Sequence, residues 1–191
     1  MNNNNLLIND KKLPGDLAMW FFILAELTVF AMFFIGFAIT EYLNQQLFIE
    51  GKAQLHTASG VINTIALITS SLFVALSVNA LHQNKVKQIV WYLIFALLFA
   101  FIYLFVKSWE YQSLFLQGID IETNTFFTLY FLITAFHFLH VVLGMVILIF
   151  MLLKAVKNAY KENHSGFESG ACYWHMVDML WIILFPLIYV I

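Results

Sequence analysis

A chain of 191 residues that is 62% hydrophobic and only 10% charged has too little polar surface to cover a water-soluble globule, so lipid must be part of its solvent. The formal net charge of −2 comes with no basic patch, which argues against a nucleic-acid partner. A single cysteine, Cys172, excludes an intrachain disulfide and any cysteine-based cluster.

The Asn-rich stretch Met1 to Lys12 reads as a polar tail, and Pro14, Gly15 and Asp16 as a turn and N-cap before the first helix. The tail is set at residues 1–16 and a single five-helix transmembrane domain at residues 17–191. Five apolar runs follow, at Leu17–Thr40, Ala58–Leu81, Ile89–Val106, Phe126–Leu153 and Cys172–Val190. Each is near or above the ~20 residues that a helix needs to cross a ~30 Å hydrocarbon core. Strands of a membrane barrel need only ~10 residues each. The expected fold is therefore all-α, a polytopic bundle without internal repeats and with short connections that hold no further compact unit. The first run contains Glu26 and lacks a small-residue cleavage site, so it reads as a retained span rather than a signal peptide. Trp and Tyr are expected near the span ends, at headgroup level.

The chain has no arginine, so lysine alone sets orientation. Lys11, Lys12, Lys85, Lys87, Lys154, Lys157 and Lys161 would share one side of the membrane, and Lys52 and Lys107 the other. The positive-inside rule then places the N-terminus in the cytoplasm and the C-terminus on the periplasmic side.

Polar groups inside the spans are the candidates for function, because a charged side chain at the centre of a span costs at least ~2.5 kcal/mol on insertion scales. Glu26 lies roughly 14 Å into the first span at 1.5 Å per residue. His137 and His140 share one face of the fourth span at i, i+3, and Gly144 continues that face, where it would let a neighbouring backbone approach. His175 and Asp178 repeat the i, i+3 spacing near the start of the fifth, where Trp174, Asp178, Trp181 and Phe185 form a stripe that cannot all face lipid. In the second span Asn63, Ser70 and Ser77 recur every seven residues beside Thr64 and Ser71, the pattern of a helix-packing seam. Glu110, Asp120 and Glu122 fall at or beyond the outer end of the third span, where solvated surface charge is the expected role. Two readings of Glu26 stand side by side: a protonated acid bonded to a neighbouring helix for architecture, or a functional acid at an interface or lipid site. The two histidines divide between helix packing and a headgroup or metal role, with metal disfavoured because an i, i+3 pair supplies only two ligands. Trp174 and Trp181 read as bulky packing residues.

In this order these residues resemble the subunit III family of haem-copper respiratory oxidases. The resemblance runs from Pro14 onward and rests on WFFILAELTVFAMFF (20–34), WEY (109–111), FFTLYFLITAFHFLHVVLG (126–144) and ESGACYWHMVDMLWIILFP (168–186). Seven-helix members carry two further N-terminal helices that wall a lipid-filled cleft; this chain looks like the short five-helix branch, which includes subunit III of quinol oxidases and a subunit III-like protein associated with nitric oxide reductases. The resemblance implies that Glu26, His137, His140, His175 and Asp178 form the intramembrane polar set, with Glu110, Trp174, Trp181 and Asn63 in support. It further implies a non-catalytic subunit of a cytochrome c or quinol oxidase in the respiratory electron transport chain of the cell inner membrane. Such a subunit packs on subunit I in a complex whose subunits I and II carry haem and copper, binds structural phospholipid but no cofactor of its own, and supports proton uptake and stability. Readings from other classes are a small proton or solute transporter, against which stands the lack of repeated halves and paired broken helices, and a cytochrome with His137 or His140 as a haem ligand.

Overall fold

The computed structural model describes residues 17–160 and 164–190. The turn expected at Pro14 to Asp16 lies outside them. Six helices follow one another: α1 (Leu17–Leu43), α2 (Gln45–Ala53), α3 (Thr57–His82), α4 (Val86–Leu116), α5 (Thr125–Val156) and α6 (Ser165–Tyr189). All but α2 are long and apolar enough to cross a membrane, and among the described residues there is no strand. The chain is thus a multi-pass membrane protein of the expected all-α class.

All five spans differ from their expected bounds, α4 and α6 the most and for a physical reason. Apolar windows stop at charges, whereas helices continue as long as their charges find partners; α4 accordingly runs through Lys107 and Glu110 to Leu116, ten residues beyond the predicted end. The fifth span begins at Ser165 rather than Cys172, so His175 lies about 15 Å into the helix at 1.5 Å per residue rather than near its start. The α1–α3 connection, short and without a compact unit of its own as expected, carries the helix α2, which buries Phe48 and Gly51 while its other side is exposed. Three helix ends close in the same way. Asn84 (φ 56°), Gly118 (φ 75°) and Asn158 (φ 54°) adopt the left-handed conformation that lets the next amide reach back to the helix. Lys85 N donates to the Ala80 carbonyl at 3.0 Å, Ile119 N to Leu114 at 3.0 Å and Ala159 N to Lys154 at 3.1 Å.

Helix α6 is the hub, packing on α1, α3 and α5, and touching α4 through Trp181 and Tyr189. Helices α3 and α4 form the closest pair. Their register is set by Ser70, whose hydroxyl donates to the Ala96 carbonyl across the interface at 2.8 Å. The heptad seam of Asn63, Ser70 and Ser77 is wholly buried in this packing. Helix α1 is peripheral: of its residues only Ile23, Phe30 and Phe37, again seven apart, are buried. With lipid as apolar as the helix surfaces, such seams hold by close packing and interhelix hydrogen bonds rather than by the hydrophobic effect.

The heptads repeat across the bundle and divide its core into layers. Towards the lysine-rich end, the glycine at 144 leaves room for the Trp174 indole, whose ring carbons would lie 2.7 and 2.8 Å from a Cβ there. Gly144 therefore admits a side chain from α6, not a neighbouring backbone. One heptad outward, at His137 and Trp181, the rings of α5 and α6 meet again with centroids 5.2 Å apart. Trp174 and Trp181 sit in the bundle core rather than at headgroup level, whereas Trp91 and Trp109 are exposed near the ends of α4.

Candidate functional site

Three polar centres lie within the bundle. The first joins α1 to α5: Glu26 Oε2 is 2.9 Å from His140 Nε2. His140 Nδ1 is 2.8 Å from the Phe136 carbonyl oxygen, which can only accept, so Nδ1 carries a hydrogen. Nε2 then either accepts from a protonated Glu26 or donates to its carboxylate. In both states one proton occupies the Nε2···Oε2 bond and the pair is neutral overall, which is the form a low-dielectric interior tolerates. Phe30 packs edge-on against His140 with ring centroids 5.3 Å apart, and Tyr173 donates to the His140 carbonyl at 3.3 Å.

The second centre was not foreseen. Lys107 and Glu110, expected outside the third span, are both completely buried. Glu110 is therefore no solvated surface charge, and Lys107 does not belong among the exposed charges of its end. The ammonium of Lys107 has three hydrogens and places them on Glu110 Oε2 (3.0 Å), Tyr130 OH (2.9 Å) and Tyr189 OH (2.8 Å). Tyr189 in turn donates to Glu110 Oε1 at 2.8 Å. The rings of Tyr130, Tyr111, Tyr189 and Trp181 surround the ammonium at 4.7, 5.1, 5.4 and 5.7 Å, within cation–π range. Tyr111 donates to Thr134 at 2.8 Å and closes the shell. The pair ties α4, α5 and α6 together. A signal existed in the sequence: Lys and Glu at i, i+3 could pair on one helix, and Tyr189 in the last turn of α6 was the available cap. Asp120 and Glu122, by contrast, are exposed as expected.

The third centre lies between α3 and α6 towards the lysine-rich end. Ser71 Oγ is 2.6 Å from His175 Nδ1, and Trp181 Nε1 donates to Thr64 Oγ1 at 2.9 Å one heptad away. Asp178 lies on the same stretch of α6, buried, with Oδ1 free of any partner among the described residues. His175 also lines a groove with His82, Glu168 and Cys172. His82 and Glu168 approach to 3.6 Å there.

His137 is on the face of α5 that also carries His140, yet among the described residues it meets no carboxylate. It is enclosed by Phe30, Tyr103 and Trp181, with ring centroids 6.2, 5.9 and 5.2 Å away. The polar set inferred from the sequence is therefore not one site: Glu26 and His140 come together, His175 and Asp178 share a different helix face, and His137 and Asn63 lie between. Among the described residues no three His, Cys, Asp or Glu side chains are close enough to hold a metal ion.

Residues 14–191 match the family model described as cytochrome c oxidase subunit III. Curated relatives agree. The chain is 30% identical over 174 residues to cytochrome c oxidase subunit 3 of Artemia franciscana, covering 90% of this chain and 66% of that one. It is 24% identical over 195 residues to cytochrome bo(3) ubiquinol oxidase subunit 3 of Buchnera aphidicola, covering 97% and 95%. It is 29% identical over 178 residues to cytochrome c oxidase subunit 3 of Thermostichus vulcanus, covering 92% and 86%.

Proposed function

The chain belongs to the cytochrome c oxidase subunit III family, and from that premise we propose that it is the non-catalytic third subunit of a haem-copper terminal oxidase in a cell inner membrane. In this role it packs on subunit I in a complex whose subunits I and II carry the haem and copper, binds phospholipid along its apolar flanks, and supports proton uptake and stability of the assembly. The observation that carries the reading is the outward face of α1. That helix is held to the bundle by three buried residues and the Glu26–His140 pair, while Phe21, Leu24, Met32, Ile35 and Ile39 are all more than half exposed. A span attached so lightly and left so apolar on its outer side suits a subunit that completes its packing against lipid or another membrane protein. Glu26, at 19% side-chain exposure, stands at the edge of that face, where it senses what covers α1. Lysine asymmetry supports an N-terminus in the cytoplasm; with Lys107 buried, the opposite side keeps only Lys52, which is itself paired with Glu41.

The test is purification of the complex from native membranes through a tag on this chain, with mass spectrometry of the partners and haem typing, followed by the same preparation from a strain that lacks it. Expected are two larger haem- and copper-bearing partners, and faster inactivation during turnover when the chain is missing. Unchanged turnover, inactivation rate and proton-uptake kinetics would overturn the proposal. The subunits that bind the electron donor decide between cytochrome c and quinol, and both kinds of oxidase occur among the relatives.

A further inference from the structure

One layer of the core brings together polar groups that do not satisfy one another. The Ser70–Ala96 hydrogen bond fixes the α3/α4 register, and one heptad outward along each helix Asn63 comes level with Tyr103. The Trp181–Thr64 bond places α6 at the same level, and the His137–Trp181 ring contact does so for α5. Tyr103, His137 and Trp181 form a triangle of rings with centroids 5.1 to 5.9 Å apart, and Asn63 directly precedes Thr64, the hydrogen-bond partner of Trp181, on α3. Asn63, Tyr103 and His137 are each 0% exposed. Of the four, only Trp181 has its polar atom bonded. The Asn63 amide oxygen and nitrogen, the Tyr103 hydroxyl and both ring nitrogens of His137 have no partner within the protein among the described residues.

We infer that this layer is a binding site for ordered internal water, held by Asn63, Tyr103 and His137 at the centre of the bundle. Five polar atoms from three helices lie unpartnered at this level, and a buried water makes about three hydrogen bonds, to donors and acceptors alike. The inventory suits water: the Asn63 nitrogen and one imidazole nitrogen donate, the Asn63 oxygen and the other imidazole nitrogen accept, and the Tyr103 hydroxyl does both. A metal cation is a poor match, since the layer contains no carboxylate and Lys107 lies one turn outward from Tyr103 on α4. An apolar ligand would leave all five atoms unmet. Two further unpartnered atoms, Asp178 Oδ1 and Trp174 Nε1, lie on the same stripe of α6, towards the lysine-rich end.

The inference is tested by pulsed X-ray hydroxyl-radical labelling in ¹⁸O-enriched water of the full chain in native membranes, because radicals generated from bound water oxidise the side chains that hold it. Expected is oxidation of Tyr103 and His137 several-fold above that of Phe126, Phe127 and Phe167, which are equally buried and carry no polar side-chain atom. Labelling of Tyr103 and His137 at the level of those phenylalanines would overturn it. Asn63→Leu removes two of the five polar atoms and is expected to lower the labelling of Tyr103 several-fold. Tyr103 labelling unchanged in a folded Asn63→Leu chain would equally overturn the inference, and the wild-type measurement decides the matter by itself if the variant does not fold.

Discussion

Lys107 and Glu110 are the residues whose loss the fold would feel most, because each is wholly buried and each is the other's counter-charge. Lys107→Met leaves a carboxylate in the core with one tyrosine hydroxyl, and Glu110→Gln leaves an ammonium with neutral partners only. Removing one member of a buried pair costs about 3–5 kcal/mol. Either single variant is expected to lower the midpoint of thermal inactivation sharply, and Lys107→Met combined with Glu110→Gln to lower it by much less than the sum. A strictly additive double-mutant cycle would show that the pair is not coupled. The Glu26–His140 bond is a different case, since one proton can sit on either partner. Glu26→Gln offers an amide N–H to His140 Nε2 and should assemble almost normally, whereas Glu26→Leu leaves that nitrogen without a partner and should cost about 1–3 kcal/mol. Recovery of the chain in its complex is the measurement, and equal loss in both variants would instead indicate an ionised pair. Glu26 and His140 stood out in the sequence as exceptions to an apolar run. Their pairing did not, because residues 114 apart meet only once α1 and α5 are packed.

At the scale of the helices, what hydropathy could read was the middle of each span. It missed the ends of α4 and α6 because the Lys107–Glu110 pair and the early polar turns of α6 are stabilised by neighbours in space, which no local window contains. It missed α2 because nine residues with Gln, Glu and Lys among them give too weak a pattern on their own; the helix is fixed by Phe48, whose ring lies 5.1 Å from Phe37 and 5.2 Å from Phe126. The heptad of small polar residues on α3 was legible and marks the interface with α4, while the role of Gly144 was half legible: close approach was predicted, but from the wrong kind of group. The consequence for α5/α6 packing is specific. A side chain at 144 must displace the Trp174 indole, and overpacking of this kind costs typically about 1–3 kcal/mol. Gly144→Val is expected to separate the helices locally and shift Trp174 fluorescence towards that of a more exposed indole. Emission identical to wild type in a folded Gly144→Val chain would show that the contact is slack.

For the molecule as a whole, the layers explain why an apolar chain needs its buried polar residues in these places. Between lipid-facing helices there is little hydrophobic force to favour one register over another, so specificity must come from pairs that fit in a single register: Ser70 on Ala96, Trp181 on Thr64, Ser71 on His175 and the caged Lys107. All four set α3, α4, α5 and α6 against one another; α1 joins by one such pair, Glu26 on His140, and is the element freest to answer to a partner. The proposed direction across the membrane rests on a separate property, the lysines. Those at the α3/α4 and α5/α6 turns lie at one end of the bundle, and at the other Lys107 is withdrawn into the core and Lys52 is neutralised by Glu41. With Lys107 buried the bias is steeper than a count of lysines gives, and the orientation proposed from it predicts which turns a reagent confined to the outside can reach. With Cys172 replaced by Ala, a cysteine introduced as Glu122→Cys, exposed in the α4–α5 turn, is expected to react with an impermeant maleimide on intact spheroplasts. Gln83→Cys, exposed in the α3–α4 turn, should react only after the membrane is opened. The opposite pattern would place the lysine-rich end outside and reverse the orientation of every buried centre, and labelling of both on intact cells would mean that the lysines do not fix a single topology.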